Sequence, residues 1–165
     1  SLDVLVQSQG FVRYKQAEYA KKGWDEVMDI NINSVMHTAT KFKPMLSAAK
    51  GSIVIVSSVS GLQANIGNPA YAASKAAAIS LTKTLGQSWA RDGIRVNGLA
   101  PGLVPTKLTA VTTQNKERAE ASLRAIPVRR LGTPEEMAGA AMFLASPLAS
   151  YVQGHTLIAD GGLTL

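Results

Sequence analysis

The chain has 165 residues, a formal charge of +6, 46% hydrophobic and 17% charged residues, and no cysteine. That is enough for one domain with a sizeable core, and the composition argues against bulk disorder. Disulfides and thiolate metal sites are excluded, no apolar run approaches a membrane span, and no charged-then-apolar leader opens the chain. The expectation is a cytoplasmic protein with no membrane partner. The basic residues form no arm or stripe; the densest group, Arg124, Arg129 and Arg130, is spread around Pro127. Solvated surface is favoured over a phosphate patch, and no nucleic-acid partner is expected.

In chain order, "LDVLV" (Leu2–Val6) is a short continuous apolar run and reads as a strand. Trp24 to about Ala49 reads as one long helix, bent at Pro44. "SIVIVSS" (Ser52–Ser58) is the second strand. A helix follows from Pro69 to about Asp92, with Asn68 as its cap, Pro69 in its first turn and Gly93 as its stop. "IRVNGLAPG" (Ile94–Gly102) is the third strand, and Glu117–Ala125 a shorter helix. Thr133 opens the last helix, with Glu136 completing a capping box, and it runs to about Ala145. "HTLIAD" (His155–Asp160) is the fourth strand, ended by Gly161 and Gly162.

Continuous apolar runs predict strands buried on both faces of a parallel sheet. Their alternation with helices predicts one α/β domain over residues 1–165, with right-handed crossovers. The first run has no partner before it, yet its apolar character implies neighbours on both sides. The sheet is therefore expected to continue in residues outside this chain.

The polar residues gather in a pattern. Tyr71 and Lys75 lie four apart in "NPAYAASKAAAISLTKT" and so share a helix face. Alone, that spacing fits a packed ring and a solvated lysine better than a working pair. Its surroundings change the reading. Ser58 precedes Tyr71 by thirteen residues, at the end of a strand. Asn31 lies in the preceding helix, and "PGLVPT" follows the next strand. Carboxyl ends of parallel strands are where α/β proteins place ligands.

These segments resemble the short-chain dehydrogenase/reductase family over nearly the whole chain. "WDEVMDININSV" is similar to its asparagine helix, "GSIVIVSSVSG" to its serine strand, "YAASK" to its Tyr-x-x-x-Lys signature and "IRVNGLAPGLVPT" to its nicotinamide-side loop. "RRLGTPEEMAGAAMFLAS" and "YVQGHTLIADGG" resemble its closing helix and strand. The resemblance implies a doubly wound, Rossmann-like parallel sheet. It implies an NAD(P)-dependent enzyme interconverting a carbonyl and a secondary alcohol, with NAD or NADP as cofactor. Catalysis would fall to Asn31, Ser58, Tyr71 and Lys75. Cofactor contacts would come from Tyr71, Lys75, Pro101, Gly102, Val104, Thr106 and Gly10. The resemblance also implies a homotetramer built on the helices from Trp24 and Pro69, with a dimer as the alternative.

Two departures from the pattern stand out. The family's N-terminal strands and glycine-rich phosphate loop do not occur here, an absence of roughly 80 residues at about 30 per strand-helix unit. Gln7, Ser8, Gln9 and Gly10 stand where the family has Asn-Asn-Ala-Gly, so only the glycine is retained.

The expected chemistry is a hydride from the nicotinamide and a proton from the protein. A free phenol has a pKa of about 10, and a lysine cation about 5 Å away favours tyrosinate by about 3 kcal/mol at an effective dielectric near 20. Burial opposes this, so the lysine is expected to outweigh it. Ser58 would hold the carbonyl oxygen, with Ser57 and Ser60 as competitors. Asn31 would hold a proton-relaying water or be a satisfied helix asparagine, with Asn33 as a rival register. Thr106 would bond the carboxamide or cap its own loop. His37 and His155 have no metal-like spacing. "LQANIGNPA" and Lys107–Arg124 should shape a pocket for a sugar acid, a 3-oxoacyl thioester or a cyclic alcohol. The rival readings are a nucleotide-sugar epimerase and a catalytically silent homologue that binds a partner.

Overall fold

The computed structural model describes residues 1–165. Four parallel strands form one sheet in the order β1 (Val4–Gln7), β2 (Ser52–Val56), β3 (Arg95–Pro101) and β4 (Thr156–Ala159). The registers place Val4 beside Ser52, Ser52 beside Arg95, and Gly98 beside Thr156. All four expected strands are present, with ends shifted by a few residues. β2 stops at Val56, so Ser57 and Ser58 already belong to the loop.

Helices cover both faces. On one, α2 (Ser34–Ala49) and α3 (Pro69–Trp89) bury Val35, Leu46, Ala78 and Leu85 against Ile53 and Ile55. On the other, Leu144 of α6 (Pro134–Ala145) packs on Val54 and Leu99. Successive β2 side chains therefore enter opposite cores, which is why its sequence is apolar without alternation. At the outer edge of β1, Val4 and Val6 are 40% and 47% exposed. No helix is long and apolar enough to cross a membrane.

The first helical region departs from the expectation of one helix from Trp24. It begins at Lys21 as α1 (Lys21–Met28), passes through a π turn at Asp29–Asn33 and continues as α2. A π turn inserts one residue into the ladder and turns the following side chains around the axis. Asn31 sits inside it and is buried.

The cap of α3 also departs from expectation. Asn68 makes no side-chain cap, and its Nδ2 instead donates to the Arg13 carbonyl at 2.8 Å. Glu18 caps the helix in its place, because its buried carboxylate accepts the Tyr71 N–H at 2.9 Å. Pro69 occupies the first turn and Gly93 ends the helical stretch in a left-handed conformation, as expected. The expected capping box of Thr133 and Glu136 is formed on α6. Between β3 and α6 lie α4 (Ala110–Thr113), which the sequence did not suggest, and α5 (Lys116–Ala125). Arg95 ties the sheet to the end of α6, donating to the carbonyls of Leu144, Ala145, Ser146 and Ala149 at 2.8–3.1 Å.

Candidate active site

Tyr71 lies in the first turn of α3, at the carboxyl edge of the sheet. Burial pushes its phenol above the ordinary value, and the nearby Ser58 hydroxyl pulls the other way. The negative charges of Tyr14, when ionised, and of Glu18 push it further up. Lys75 lies one turn on and is 3% exposed. Its Nζ stands 5.7 Å from the centre of the Tyr71 ring and donates to the Val56 carbonyl at 2.9 Å. Burial lowers the Lys75 ammonium to about 8. The expectation that Lys75 outweighs burial at Tyr71 is therefore corrected for the protein alone: desolvation dominates both groups.

The three serines after β2 divide the work. Ser57 Oγ donates to the Lys75 carbonyl at 2.7 Å and so fixes the loop to α3. Ser60 Oγ accepts from Asn65 Nδ2 at 3.3 Å. Ser58 Oγ accepts the Ser60 N–H at 3.1 Å and is the one beside Tyr71. This turn reaches the helix because Gly61 has no side chain; a Cβ there would lie 2.6 Å from the Lys75 backbone carbon.

Asn31 is 1% exposed, and its amide is fully engaged. Oδ1 accepts the Phe11 N–H at 2.7 Å, while Nδ2 donates to the Phe11 carbonyl at 2.9 Å and to Ser74 Oγ at 3.0 Å. Both amide protons are used, as in the alternative of a satisfied helix asparagine. Its rival Asn33 faces outward and donates to Asp29 Oδ1 at 2.6 Å.

The expected cofactor residues fall into two groups. Gly10 meets Lys75: a Cβ on Gly10 would stand 3.7 Å from Nζ. Pro101 closes β3 at the same edge of the sheet. Gly102 is needed for another reason, since a Cβ there would lie 2.7 Å from Asp160 Cα. Val104 is buried, and its carbonyl accepts Thr109 Oγ1 at 2.6 Å. The Thr106 N–H donates to Thr109 Oγ1 at 2.9 Å, so the side chain that caps this loop is that of Thr109. A cleft beyond Gly102 is lined by Leu103, Ile126, Arg130, Asp160 and Gly161, and Tyr71 is not part of it.

Gln7 is buried with both amide atoms unpaired, whereas Gln9 Nε2 donates to Ser34 Oγ at 3.0 Å. Two site residues escaped the sequence reading. Tyr14 donates its hydroxyl to the Leu108 carbonyl, and Glu18 holds the Tyr71 backbone. Neither has a local sequence signal for its place at the site, because the contacts with Leu108 and Tyr71 run 94 and 53 positions along the chain.

A half-buried tyrosine and a buried lysine beside a strand-end serine, on a doubly wound parallel sheet, define a class of site suited to proton transfer at a bound oxygen. The comparisons agree with that class. The family model described as enoyl-(acyl carrier protein) reductase matches residues 1–164, and the chain belongs to the short-chain dehydrogenase/reductase family. It is 37% identical over 164 residues to a 2-dehydro-3-deoxy-D-gluconate 5-dehydrogenase of Dickeya dadantii, covering 98% of this chain and 65% of that protein. It is 40% identical over 165 residues to a 3-oxoacyl-[acyl-carrier-protein] reductase of Chlamydia pneumoniae, covering 99% of this chain and 66% of that one. A crystal structure of a gluconate 5-dehydrogenase from Burkholderia cenocepacia, in complex with NADP and tartrate, superposes with a TM-score of 0.95 at 34% identity. That match covers 99% of this chain and 65% of that one. The chain thus spans slightly less than two thirds of the length of these relatives.

Proposed function

We propose that this chain is the catalytic part of an NAD(P)-dependent oxidoreductase that interconverts a carbonyl and a secondary alcohol. The carrying observation is the grouping of Tyr71, the nearby Ser58 and buried Lys75 at one sheet edge. A dinucleotide fits these residues. Lys75 Nζ spends one donor on Val56, which leaves two for ribose hydroxyls, and Gly10 keeps the space beside it open. Pro101, Gly102, Val104 and Thr106 would hold its nicotinamide side. When bound, the nicotinamide gives or receives the hydride.

The chain's own residues handle the proton. In reduction, Tyr71 donates its hydroxyl proton to the carbonyl oxygen as negative charge develops there. Ser58 hydrogen-bonds the same oxygen and holds it still. Burial keeps the phenol protonated near neutral pH, which suits a donor. In oxidation, Tyr71 takes the alcohol proton, and the Lys75 charge stabilises the tyrosinate that precedes it. Asn31 contributes through the loop it holds, with Phe11 on one side and Ser74 on the other.

A sugar acid is the substrate class to test first, on the strength of the gluconate relatives. Further strands beside β1 would hold the cofactor phosphates. The protein acts in the cytoplasm as a homotetramer joined through α1, α2 and α3, with a dimer as the alternative; Met36 and Met45 are exposed apolar groups on α2.

The test is calorimetric titration of the complete protein with NAD and NADP, followed by nicotinamide absorbance with gluconate and with a 3-oxoacyl thioester. The Tyr71→Phe variant should keep cofactor affinity and lose about 10²–10⁴-fold in kcat. Failure of both dinucleotides to bind would remove this reading.

A further inference from the structure

Glu18 is 0% exposed, deeper than Lys75. No cation pairs with it: the chain's four ion pairs use Glu26, Asp25, Asp92 and Glu136. Its oxygens are held by N–H groups instead. Oε2 accepts the Tyr71 backbone N–H at 2.9 Å, while Oε1 accepts the Arg13 N–H at 2.9 Å and Asn68 Nδ2 at 3.3 Å. The positive end of the 21-residue helix α3 adds a favourable field.

A cap alone does not require this arrangement. A neutral asparagine or serine caps a helix well, without the cost of burying a charge. Asn68 stands at the cap position, yet its side chain is turned to Arg13. A full negative charge has been placed where a neutral acceptor was available, in the same turn as the phenol. The groups facing Tyr71 are Tyr14 from the loop after β1, Glu18 from the 3-10 turn Ala17–Tyr19, Lys75 from its own helix, and uncharged Ser58 from the turn after β2.

We propose that Glu18 is a positioning residue of the site: its buried carboxylate anchors the first turn of α3 to the loop after β1, fixing the Tyr71 hydroxyl and setting a negative charge beside it. This rests on the reading of Tyr71 as the acid/base. The geometric part works through the backbone, since movement of the Tyr71 N–H moves the whole residue. The electrostatic part holds the phenol in its protonated form, opposing the Lys75 charge across the same ring.

The experiment compares Glu18→Gln, Glu18→Asp and Glu18→Ala in the complete protein. The tyrosines are labelled in the ring, and the Tyr71 signal is assigned by its loss in Tyr71→Phe. By NMR titration, Tyr71 in Glu18→Gln should ionise at lower pH than in wild type, because the charge is gone. The pH profile of alcohol oxidation should move the same way. Glu18→Asp keeps the charge but is one methylene short, so its titration should stay near wild type while kcat falls. Glu18→Ala should lose about tenfold or more in kcat through misplacement of the tyrosine. An unmoved Tyr71 titration in Glu18→Gln, or identical titration and kcat in the Gln and Asp variants, would overturn the proposal. Should Glu18→Gln fail to fold, a wild-type kcat in Glu18→Asp overturns it, and a lowered kcat with an unmoved titration supports it. A wild-type protein that turns over no substrate removes the oxidoreductase reading alone; the NMR comparison still decides the role of Glu18.

Discussion

Replacing Lys75 by methionine should stabilise the cofactor-free protein while disabling it. The side chain is 3% exposed, and burial holds its ammonium at about 8 instead of the ordinary 10.5. At about 1.4 kcal/mol per pKa unit, that fall represents about 3 kcal/mol of destabilisation at neutral pH. Methionine has similar length and no charge to desolvate. It loses the 2.9 Å hydrogen bond to the Val56 carbonyl, a cost of about 1–2 kcal/mol. The net expectation is a gain of about 1–2 kcal/mol at pH 7.

The sign with pH follows from the lowered pKa. Below pH 8 Lys75 is charged in both folded and unfolded protein, and the full cost is present. Between about 8 and 10.5 the unfolded chain binds the extra proton, so wild-type stability rises with pH relative to the variant. Urea unfolding of both proteins at pH 7 and pH 10 measures this, and the difference between them cancels other titrating groups. The advantage of Lys75→Met should shrink or reverse at pH 10. A variant less stable than wild type at pH 7, or a difference that does not change with pH, would refute the reasoning.

Other perturbations probe the frame around the site. Gly102→Ala forces a Cβ to within 2.7 Å of Asp160 Cα and should cost about 1–3 kcal/mol, read as a lower urea midpoint. Arg95→Met removes four donors from the carbonyls that close α6 and should cost about 2–3 kcal/mol; Arg95→Lys should recover little, because an ammonium cannot reproduce the fork.

The strands were legible because burial on both faces leaves a continuous apolar run, and "SIVIV" has no other economical explanation. The capping box at Thr133 was legible because all its atoms lie within four residues. The π turn at Asn31 was not: one inserted residue barely alters the spacing of apolar positions along a helix. Asn68 was read by a local capping rule, and the rule lost to Glu18, whose carboxylate arrives from about fifty positions earlier. The serine spacing singled out Ser58, but only the packing explains why Ser57 serves the Lys75 carbonyl instead. The balance of charge and burial at Tyr71 is hidden from the sequence for a similar reason. A sequence gives the distance along a helix and says little about how much water is displaced around the ring.

The segment after β1 has a mechanical consequence. Asn31 and Glu18 stitch it from beneath with several bonds each, all to buried or half-buried groups. Above, Tyr14 and Tyr19 each reach out with one hydroxyl, to the carbonyls of Leu108 and Ile66. The loop that ends at Asn68 has a further tie, because Asn68 Nδ2 donates to the Arg13 carbonyl at 2.8 Å and to Glu18 Oε1 at 3.3 Å. The Leu108 side is tied to this segment by the exposed Tyr14 hydroxyl, whereas the Asn68 side shares the Glu18 carboxylate with the Tyr71 N–H. A pull on the Asn68 side therefore reaches the carboxylate that holds the Tyr71 backbone, while a pull on the Leu108 side ends at one exposed hydroxyl.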